Sequence, residues 1–531
     1  MDTQTQTQLL QRFEQLNEIG TALSSERDIN CLLEKILLAA KRITHADGGT
    51  LYLLAEDRRH LHFEIVRTDS LHIAFGGTSG QPTSGKFPNL PLYHDDGTPN
   101  TSMVAAYAAL TGVTVNIADA YTAQGFDFSG TRKFDAGTGY RSRSFLTVPM
   151  RSTHEKEVIG VLQLINAIDQ ESGEVREFSA ADQHLAESLA SQAAVALTNR
   201  QLMLQLEELF EALIRLINVA IDEKSPYTAG HCQRVPELTM LLADAVDATR
   251  EGPLADFTLT DVDRYELRIA ALMHDCGKIT TPVHVVDKST KLESINDRIH
   301  LLDLRFEVLK REAEARKWRQ ISEGSPAAAA EAECTEFCRR CDGDRDFLRK
   351  ANIGGERMSD EDIARVQAIA RQYPWQDEQG QPAPFLSADE VENLCIRAGT
   401  LTAAEREIIN NHIVATIRML EQLPWPKHLR NVPEYAGGHH ERMDGKGYPR
   451  GLKREQMSWQ ARMMGIADIF EALTAKDRPY KQPMPLSQAL KIMQNFRDNG
   501  HIDPDLFAVF VESKVYRSYA ERYLAPEQID C

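Results

Sequence analysis

The apolar residues of this chain repeat with two different periods, and the change from one to the other limits the folds it can adopt. Before residue 180, the segments GTLYLLAED, HLHFEIVRT and EVIGVLQLINA have the period of strands, and short polar turns separate them. After Pro226, segments such as LRIAALMHDCGK and SWQARMMGIADIFEALTA have the spacing of helices. The pattern therefore predicts an α+β domain with an antiparallel sheet, followed by an all-α domain.

A chain of 531 residues is too long for a single core, because domains usually hold about 100 to 200 residues. We predict an N-terminal helix at 1–27, the α+β domain at 28–180, a linking helix at 181–223 and the all-α domain at 224–531. Residues 305–400 have a different composition, which predicts a mostly helical insertion packed on the outside of the all-α domain. Thr402 with Glu405 has the spacing of a capping box at a helix start.

The linking helix carries an apolar seam that alternates steps of three and four residues. Two arrangements satisfy such a seam. The helix packs on its own domain, or it pairs with the same helix of a second copy in a parallel homodimer. The seam consists of Met203, Leu206, Phe210, Leu213 and Ile217.

The charge balance excludes one class of partner. With 78 acidic and 60 basic residues, the net charge of −18 argues against a nucleic-acid polymer, which binds clustered Lys and Arg. No apolar run approaches the roughly 18 residues of a membrane span, and the first residues lack the pattern of a signal peptide. We therefore expect a cytoplasmic protein without a membrane partner. Eight scattered Cys fit a reducing compartment.

A set of histidines and aspartates in or beside the predicted helices indicates a metal site. The dipeptide His274-Asp275 ends an apolar helical run, and an aspartate that bridges two cations suits a two-metal site, where the ions lie only ~3.5–4 Å apart. Imidazole and carboxylate donors without thiolate suit iron, manganese or zinc in a hydrolytic centre better than structural zinc. The set comprises His231, His274, Asp275, His412, His439, His440 and Asp468.

Six ordered segments between residues 223 and 515 resemble the HD-GYP subgroup of HD-domain phosphohydrolases. These segments are SPYTAGHCQRV, ALMHDCGKITTP, EREIINNH, HHERMDGKGYPRGL, ARMMGIADIFEALTAKDRPYK and NGHIDPDLF. The resemblance implies that the seven residues above hold two divalent metal ions, with iron or manganese favoured over zinc. Some members carry a third metal on a Glu that is replaced here by Tyr227, so two metals are expected. No organic cofactor is evident.

The same resemblance assigns further residues and an activity. Asp275 would bridge the metals as a catalytic residue, and Lys278 would hold the attacked phosphate. Gly447, Tyr448 and Pro449 would form a loop beside the substrate pocket, with Arg478 and Lys481 as phosphate contacts. The implied reaction is hydrolysis of cyclic di-GMP to linear pGpG, to GMP, or to both. Two alternatives stay open, namely another cyclic dinucleotide such as cyclic GMP-AMP, and a receptor or scaffold that binds without cutting.

Two acidic residues of the histidine-rich stretch have a supporting interpretation. Glu441 and Asp444 follow the His439-His440 pair directly, and carboxylates next to metal-bound histidines usually orient them through hydrogen bonds. We therefore predict that both carboxylates orient these histidines.

Residues 28–200 resemble a GAF domain, a small-ligand sensor fold, through GGTLYLLAED, FDAGTGYRSRSFLTVPMR and EVIGVLQLINA. Asn166, Phe178 and Asp182 follow the Asn-Lys-Phe-Asp-Glu pattern of phosphodiesterase GAF domains, but Ala167 and Gln183 replace its Lys and Glu. A sensor of an unknown small ligand and a purely structural, dimerising domain both stay open. If the domain is a sensor, we hypothesise that its ligand shifts the linking helix in a dimer and changes access to the metals.

The predicted insertion contains three cysteines on one face of a helix, Cys334, Cys338 and Cys341. Their spacing could hold an iron–sulfur cluster or serve a redox role. A partly buried thiol face is the alternative, and we favour it because free Cys commonly packs as a small apolar residue.

Overall fold

The computed structural model describes residues 20, 26, 28–152, 157–224, 230–354, 357–377, 379–475 and 484–531. The chain divides into two compact units, Met1–Phe210 and Glu211–Cys531. The predicted N-terminal helix at 1–27 lies almost wholly outside the described residues. The predicted fold class is confirmed, because the first unit is α+β and a long helix leads into a helical second unit.

The described part of the first unit contains one antiparallel sheet. Its strands are β1 (Ala46–Leu54), β2 (His60–Thr68), β3 (Ile73–Phe75), β4 (Leu90–Pro91), β5 (Val115–Ile117), β6 (Phe145–Arg151), β7 (Val158–Ile168) and β8 (Val175–Arg176). The strand order is β3-β2-β1-β7-β6-β5, with β4 beside β2 and β8 beside β7. The helices of this unit are α1 (Ile29–Thr44), α2 (Val104–Thr111) and α3 (Ser129–Thr138), and a fourth helix, α4 (Ala180–Lys224), begins in it.

The main core of the first unit lies between the central strands and two helices. Leu37 of α1 and Leu189 of α4 are fully buried in one cluster with Leu51 of β1 and Leu164 of β7. At about 1.5–3 kcal/mol for each buried large aliphatic side chain, this cluster is the main stabilising element of the unit. Residues 48–52 of β1 and 160–164 of β7 are all buried, so both faces of the central strand pair are covered.

The residues of the GAF-type pattern hold the backbone of their own domain. The Asn166 side-chain oxygen accepts hydrogen bonds from the backbone N–H groups of Arg143 (2.7 Å) and Ser144 (3.2 Å). Phe178 is part of the main core. Asp182 accepts a 3.0 Å hydrogen bond from the backbone N–H three residues earlier, at the start of α4. These internal contacts favour the structural alternative for the three residues.

Helix α4 has an exposed apolar stripe in its second half. Met203, Leu206 and Leu213 of the predicted seam are exposed, whereas Phe210 and Ile217 are only half-exposed. The exposed leucines themselves define a slightly rotated stripe with the same steps of four and three, because Ile214 and Ile221 on another face of the helix are buried. This leucine stripe consists of Leu202, Leu206, Leu209, Leu213 and Leu216.

The second unit is built from helices. Those outside the insertion are α5 (His231–Asp247), α6 (Asp261–Met273), α7 (Val283–Val286), α12 (Ala403–Glu421), α13 (Val432–Gly437), α14 (Trp459–Thr474), α15 (Leu486–Asp498), α16 (Pro504–Glu512) and α17 (Val515–Tyr523). The predicted capping box is present at the start of α12, where the Thr402 side chain accepts from Glu405 N and the Glu405 carboxylate accepts from Thr402 N. No helix within the described ranges is long and apolar enough to cross a membrane.

The insertion has a hydrophobic core of its own, with Phe306, Tyr373 and Phe385 packed edge to face. Its helices are α8 (Ile299–Ser322), α9 (Ala327–Asn352), α10 (Asp360–Gln372) and α11 (Ala388–Leu394), and a short hairpin pairs β9 (Trp375–Gln376) with β10 (Pro382–Ala383). The first helix begins before residue 305, because Ile299 and Leu302 are already part of this core.

The three cysteines of the insertion lie on α9. Cys334 and Cys341 are buried and Cys338 is half-buried, and none of them forms a disulfide. Within the described residues, these thiols do not converge with other donors into a group that could hold a metal ion. The arrangement supports the thiol-face interpretation.

Candidate metal centre

Three buried histidines of the second unit orient their rings in the same way. The Nδ1 atoms of His274, His412 and His439 lie 2.7, 2.5 and 2.6 Å from the backbone carbonyl oxygen three residues earlier in the chain. A ring nitrogen that faces a carbonyl must carry the proton, so the lone pair is on Nε2. Each helix backbone thereby presents an Nε2 atom as a donor for a cation.

Asp275 lies at the centre of these donors. Its Oδ2 atom is 3.1 Å from Nε2 of His231 and 3.2 Å from Nε2 of His274. Its Oδ1 atom is 3.3 Å from Nε2 of His412. The two carboxylate oxygens therefore face different histidine groups, as a bridging ligand of two cations would.

The remaining predicted ligands complete the cluster. Nε2 of His440 is 3.2 Å from Nε2 of His412, and Oδ1 of Asp468 is 3.3 Å from Nε2 of His231. The His439 ring lies edge-on to His274, with the ring centroids 4.9 Å apart. The structure thus brings together all seven residues predicted as ligands, although 237 positions separate the first from the last.

The donor set fits metal ions on two observations. His439 Nε2 and Asp275 Oδ1 are buried and have no hydrogen-bond partner in the described part of the chain, although buried polar atoms are almost always paired. In addition, the donors form two groups, and the donor atoms inside each group all lie within 4.8 Å of one another. One group contains His231, His274 and Asp275, and the other contains Asp275, His412, His439 and His440. Nitrogen and oxygen donors without sulfur suit iron, manganese or zinc.

The electrostatics of the cluster keep most donors deprotonated. Burial alone would raise the pKa of Asp275 and of Asp468, but neighbouring imidazoles, and Lys278 beside Asp275, outweigh it and hold both pKa values well below the usual range. Burial, together with the nearby His274, lowers the pKa of His439 to about 4. A cation therefore meets these three side chains already in their binding form.

Glu471 is a supporting residue that the sequence analysis missed. Its Oε2 atom is 2.6 Å from Nδ1 of His231, and its Oε1 atom accepts a 2.7 Å hydrogen bond from Nε of Arg234. Burial alone would lower the pKa of His231, but Glu471 and the two aspartates outweigh it and raise that pKa well above its ordinary value. The spacing i, i+3 from Asp468 on one helix face was the signal that could have identified Glu471.

The prediction that Glu441 and Asp444 orient the histidines is wrong. Glu441 is buried and accepts hydrogen bonds from the backbone N–H groups of Arg450 (2.7 Å) and Leu452 (2.8 Å). Asp444 forms a two-pronged ion pair with Arg442. Both carboxylates stabilise the loop that follows the histidines, because they accept hydrogen bonds from backbone N–H groups that have no partner in a helix or strand.

Models of known domain families match parts of both units of the chain. A family model of the GAF domain matches residues 28–197, and two family models described as HD domain match residues 228–335 and 386–506. The chain combines a GAF domain with an HD domain.

Several relatives of known activity resemble parts of the chain. A 3'3'-cGAMP-specific phosphodiesterase of Vibrio cholerae is 27% identical over 321 residues, which cover 60% of this chain and 42% of the relative. A cyclic di-GMP phosphodiesterase of Pseudomonas aeruginosa is 38% identical over 117 residues (22% and 27%), and one of Thermotoga maritima is 36% identical over 121 residues (23% and 32%). The chain spans less than half the length of each of these relatives.

The loop after Asp275 brings a lysine to the cluster of the HD domain. Lys278 Nζ is 2.5 Å from Asp275 Oδ2. The loop packs tightly on α12, where the backbone N–H of Gly277 donates a 2.9 Å hydrogen bond to Thr416 Oγ1. A Cβ atom at position 277 would lie only 2.0 Å from the carbonyl oxygen of His412. Any larger residue at 277 would therefore displace both Lys278 and His412.

The Gly-Tyr-Pro loop of the HD domain closes over one side of the cluster. The Tyr448 ring stacks on His440, with the centroids 4.9 Å apart and the planes at 27°. A Cβ at Gly447 would lie 2.4 Å from the backbone nitrogen of Arg442, which explains the glycine. The Tyr448–Pro449 peptide bond is cis. The loop thus positions an aromatic side chain against a predicted ligand.

A cavity of about 440 Å³ borders the cluster in the HD domain. His440, Asp468 and Tyr448 line one part of it, and Arg442 and Lys446 contribute positive charge. Two predicted phosphate contacts, Arg478 and Lys481, lie outside the described residues, as does Tyr227.

Proposed function

We propose that this chain is a metal-dependent phosphodiesterase that hydrolyses cyclic di-GMP to linear pGpG, to GMP, or to both. The observation that carries the proposal is the convergence of seven His and Asp side chains around Asp275, with Lys278 in contact with the same carboxylate. The relatives with curated activities also support a cyclic dinucleotide as the substrate class.

The seven predicted ligands would hold two divalent cations, for which we favour iron or manganese over zinc, and Asp275 and Asp468 would supply the carboxylate donors. When bound, such cations neutralise the phosphate charge and lower the pKa of water. Glu471 holds His231 in the orientation that presents Nε2 to the cluster.

The remaining residues act on the substrate. Lys278 supplies a positive charge to an anionic oxygen of the phosphodiester, because its ammonium group already lies at the edge of the cluster. Burial alone would lower its pKa, but Asp275 and Asp468 outweigh burial and raise the pKa, so the group stays charged. Arg442 and Lys446 line the adjacent cavity and suit the second phosphate of a cyclic dinucleotide. Arg478 and Lys481 stay predictions as further phosphate contacts.

The test is product analysis with anaerobically purified protein loaded with iron or manganese. We expect cyclic di-GMP to be cleaved by the wild type and to stay intact with Asp275→Ala, and the products show how far cleavage proceeds. Faster cleavage of 3'3'-cyclic GMP-AMP than of cyclic di-GMP would instead identify that nucleotide as the preferred substrate. Binding of either nucleotide without cleavage at full metal occupancy would establish the receptor alternative.

We also propose a parallel homodimer through the leucine stripe of α4, on which a small ligand of the GAF domain would act. Leu206 is 67% exposed and Leu216 is 63% exposed, although both are large apolar side chains on one face of the helix. A Leu206→Glu and Leu213→Glu double variant should be monomeric in sedimentation, whereas the matched change Gln205→Glu on the same helix should not alter the mass. The predicted cytoplasmic location stays a prediction.

A further inference from the structure

We infer that the insertion contains a binding site for a small organic anion, in which Lys291 contacts a phosphate or carboxylate group. A cavity of about 470 Å³ lies between the end of α9 and the start of α10. Its lining combines the cations Lys291, Lys350 and Arg357 with the apolar side chains of Phe347 and Met358. None of these residues belongs to the candidate metal centre, so the inference stands apart from the proposed phosphodiesterase activity.

Lys291 is a buried cation without an anionic partner among the described residues. Its side chain is one of the largest that are fully buried, and the residue is only 2% exposed. Nζ donates to the carbonyl oxygen of Leu394 at 3.1 Å and contacts the Met358 sulfur at 3.4 Å. A thioether is a weak acceptor, and an ammonium group has three N–H donors. One donor and the charge therefore remain for a ligand in the cavity that Lys291 lines.

Lys288, three residues earlier, is also a buried lysine, but it pairs with side chains of the same chain. Its Nζ lies 2.8 and 2.7 Å from the two carboxylate oxygens of Glu405 and 2.8 Å from Oδ1 of Asn393. All three of its donors are used, and its charge is neutralised. A buried charge without such a partner is costly, and the described part of the chain supplies none for Lys291, so we assign that role to a ligand of the cavity.

The surroundings select the class of ligand. Lys350 and Arg357 are exposed at the rim of the cavity. Asp362 also lines the cavity, and its carboxylate accepts a 2.7 Å hydrogen bond from the Ser359 hydroxyl in the cap of α10. Three cations thus face one engaged carboxylate, which favours an anion. The apolar wall formed by Phe347 and Met358 suits a ligand with an organic body attached to the anionic group.

The first test is thermal unfolding of the full-length protein with inorganic phosphate and, separately, citrate as probes. At equal ionic strength, we expect either probe to raise the unfolding temperature more than sodium chloride does, because a ligand that binds only the folded state stabilises it. The stronger probe shows whether a phosphate or a carboxylate is preferred. Arg357→Ala should weaken binding about 10-fold, as expected for one charge-assisted hydrogen bond.

Lys291→Met should abolish the effect of the stronger probe. An unchanged response in this variant, or a response of the wild type that only matches chloride, would overturn the inference.

The second test uses Lys288→Met as the matched variant and needs no ligand. Without added anions, Lys291→Met should unfold at the same temperature as the wild type or higher, because it removes a buried charge that has no anionic partner among the described residues. Lys288→Met should unfold at a lower temperature, because it leaves Glu405 and Asn393 without their cation. A comparable loss in both variants would show that Lys291 is a structural residue and would refute the binding site.

Discussion

Asn166 in the GAF domain and His439 in the HD domain are both buried polar residues that match a family pattern, and the structure uses them in different ways. Asn166 accepts two backbone hydrogen bonds, and its Nδ2 atom donates to the Tyr140 hydroxyl and to a backbone carbonyl. His439 uses Nδ1 for a carbonyl and leaves Nε2 unpaired within the described residues. A match to a pattern indicates a binding site only where the fold leaves buried donor or acceptor atoms unpaired.

The largest effect should come from Asp275, the proposed bridging carboxylate. Asp275→Ala removes the group that faces both sets of histidines. We therefore expect the proposed metal binding to be lost and the proposed phosphodiesterase activity to fall by more than about 100-fold, which exceeds the usual effect of a supporting residue. Metal analysis and initial rates on the same preparation measure both quantities. Full metal content in this variant would contradict the bridging role.

Glu471→Gln should have a smaller effect on the same centre. The substitution keeps the shape of the side chain but removes the charge that holds His231 and Arg234. We expect metal affinity to fall by about 10- to 100-fold, the usual range for a group that orients a ligand. Competition with a chelator of known affinity gives the value. An affinity equal to that of the wild type would show that His231 needs no such support.

Asn166→Ala should lower the stability of the GAF domain and leave the metal content unchanged. The variant loses the acceptor for two backbone N–H groups, and alanine is strained at the φ of +58° found here. The expected loss is about 1–3 kcal/mol in the free energy of unfolding. Asn166→Gly should recover the part that is due to backbone strain. Chemical denaturation of both variants measures the two parts separately.

The smallest effect should be the dependence of stability on pH that comes from Asp503, a buried and hydrogen-bonded carboxylate of the HD domain. Burial alone would raise the pKa of Asp503, but hydrogen bonds from Arg454 and Arg462 outweigh it and lower the pKa. A lowered pKa stabilises the fold fully above the unfolded value of about 4, and this contribution is lost as the pH falls through the folded value. Wild-type stability should therefore decline below about pH 4, and less steeply in Asp503→Asn. An equal slope in both proteins would contradict this assignment.

The sequence alone predicted the order of the domains, the capping box at Thr402 and the set of histidines and aspartates that the structure brings together. These features depend on local periodicity, on short-range hydrogen bonds and on a family pattern, all of which can be read along the chain. The support for His231 could not be read in this way. Glu441 and Asp444 are close to the histidines in sequence, but Glu471, 240 positions from His231, is the carboxylate that contacts its ring.

Only the tertiary structure decided three further points. It showed which leucines of α4 stay exposed, because the burial of Ile214 and Ile221 sets the rotation of the helix. It showed that the hydrogen-bond partners of Asn166 among the described residues lie within its own domain. It also distinguished Lys288, which has a carboxylate partner, from Lys291, which has none among the described residues. In each case the chemistry of a side chain depends on which distant residues pack against it, and this information is not local in the sequence.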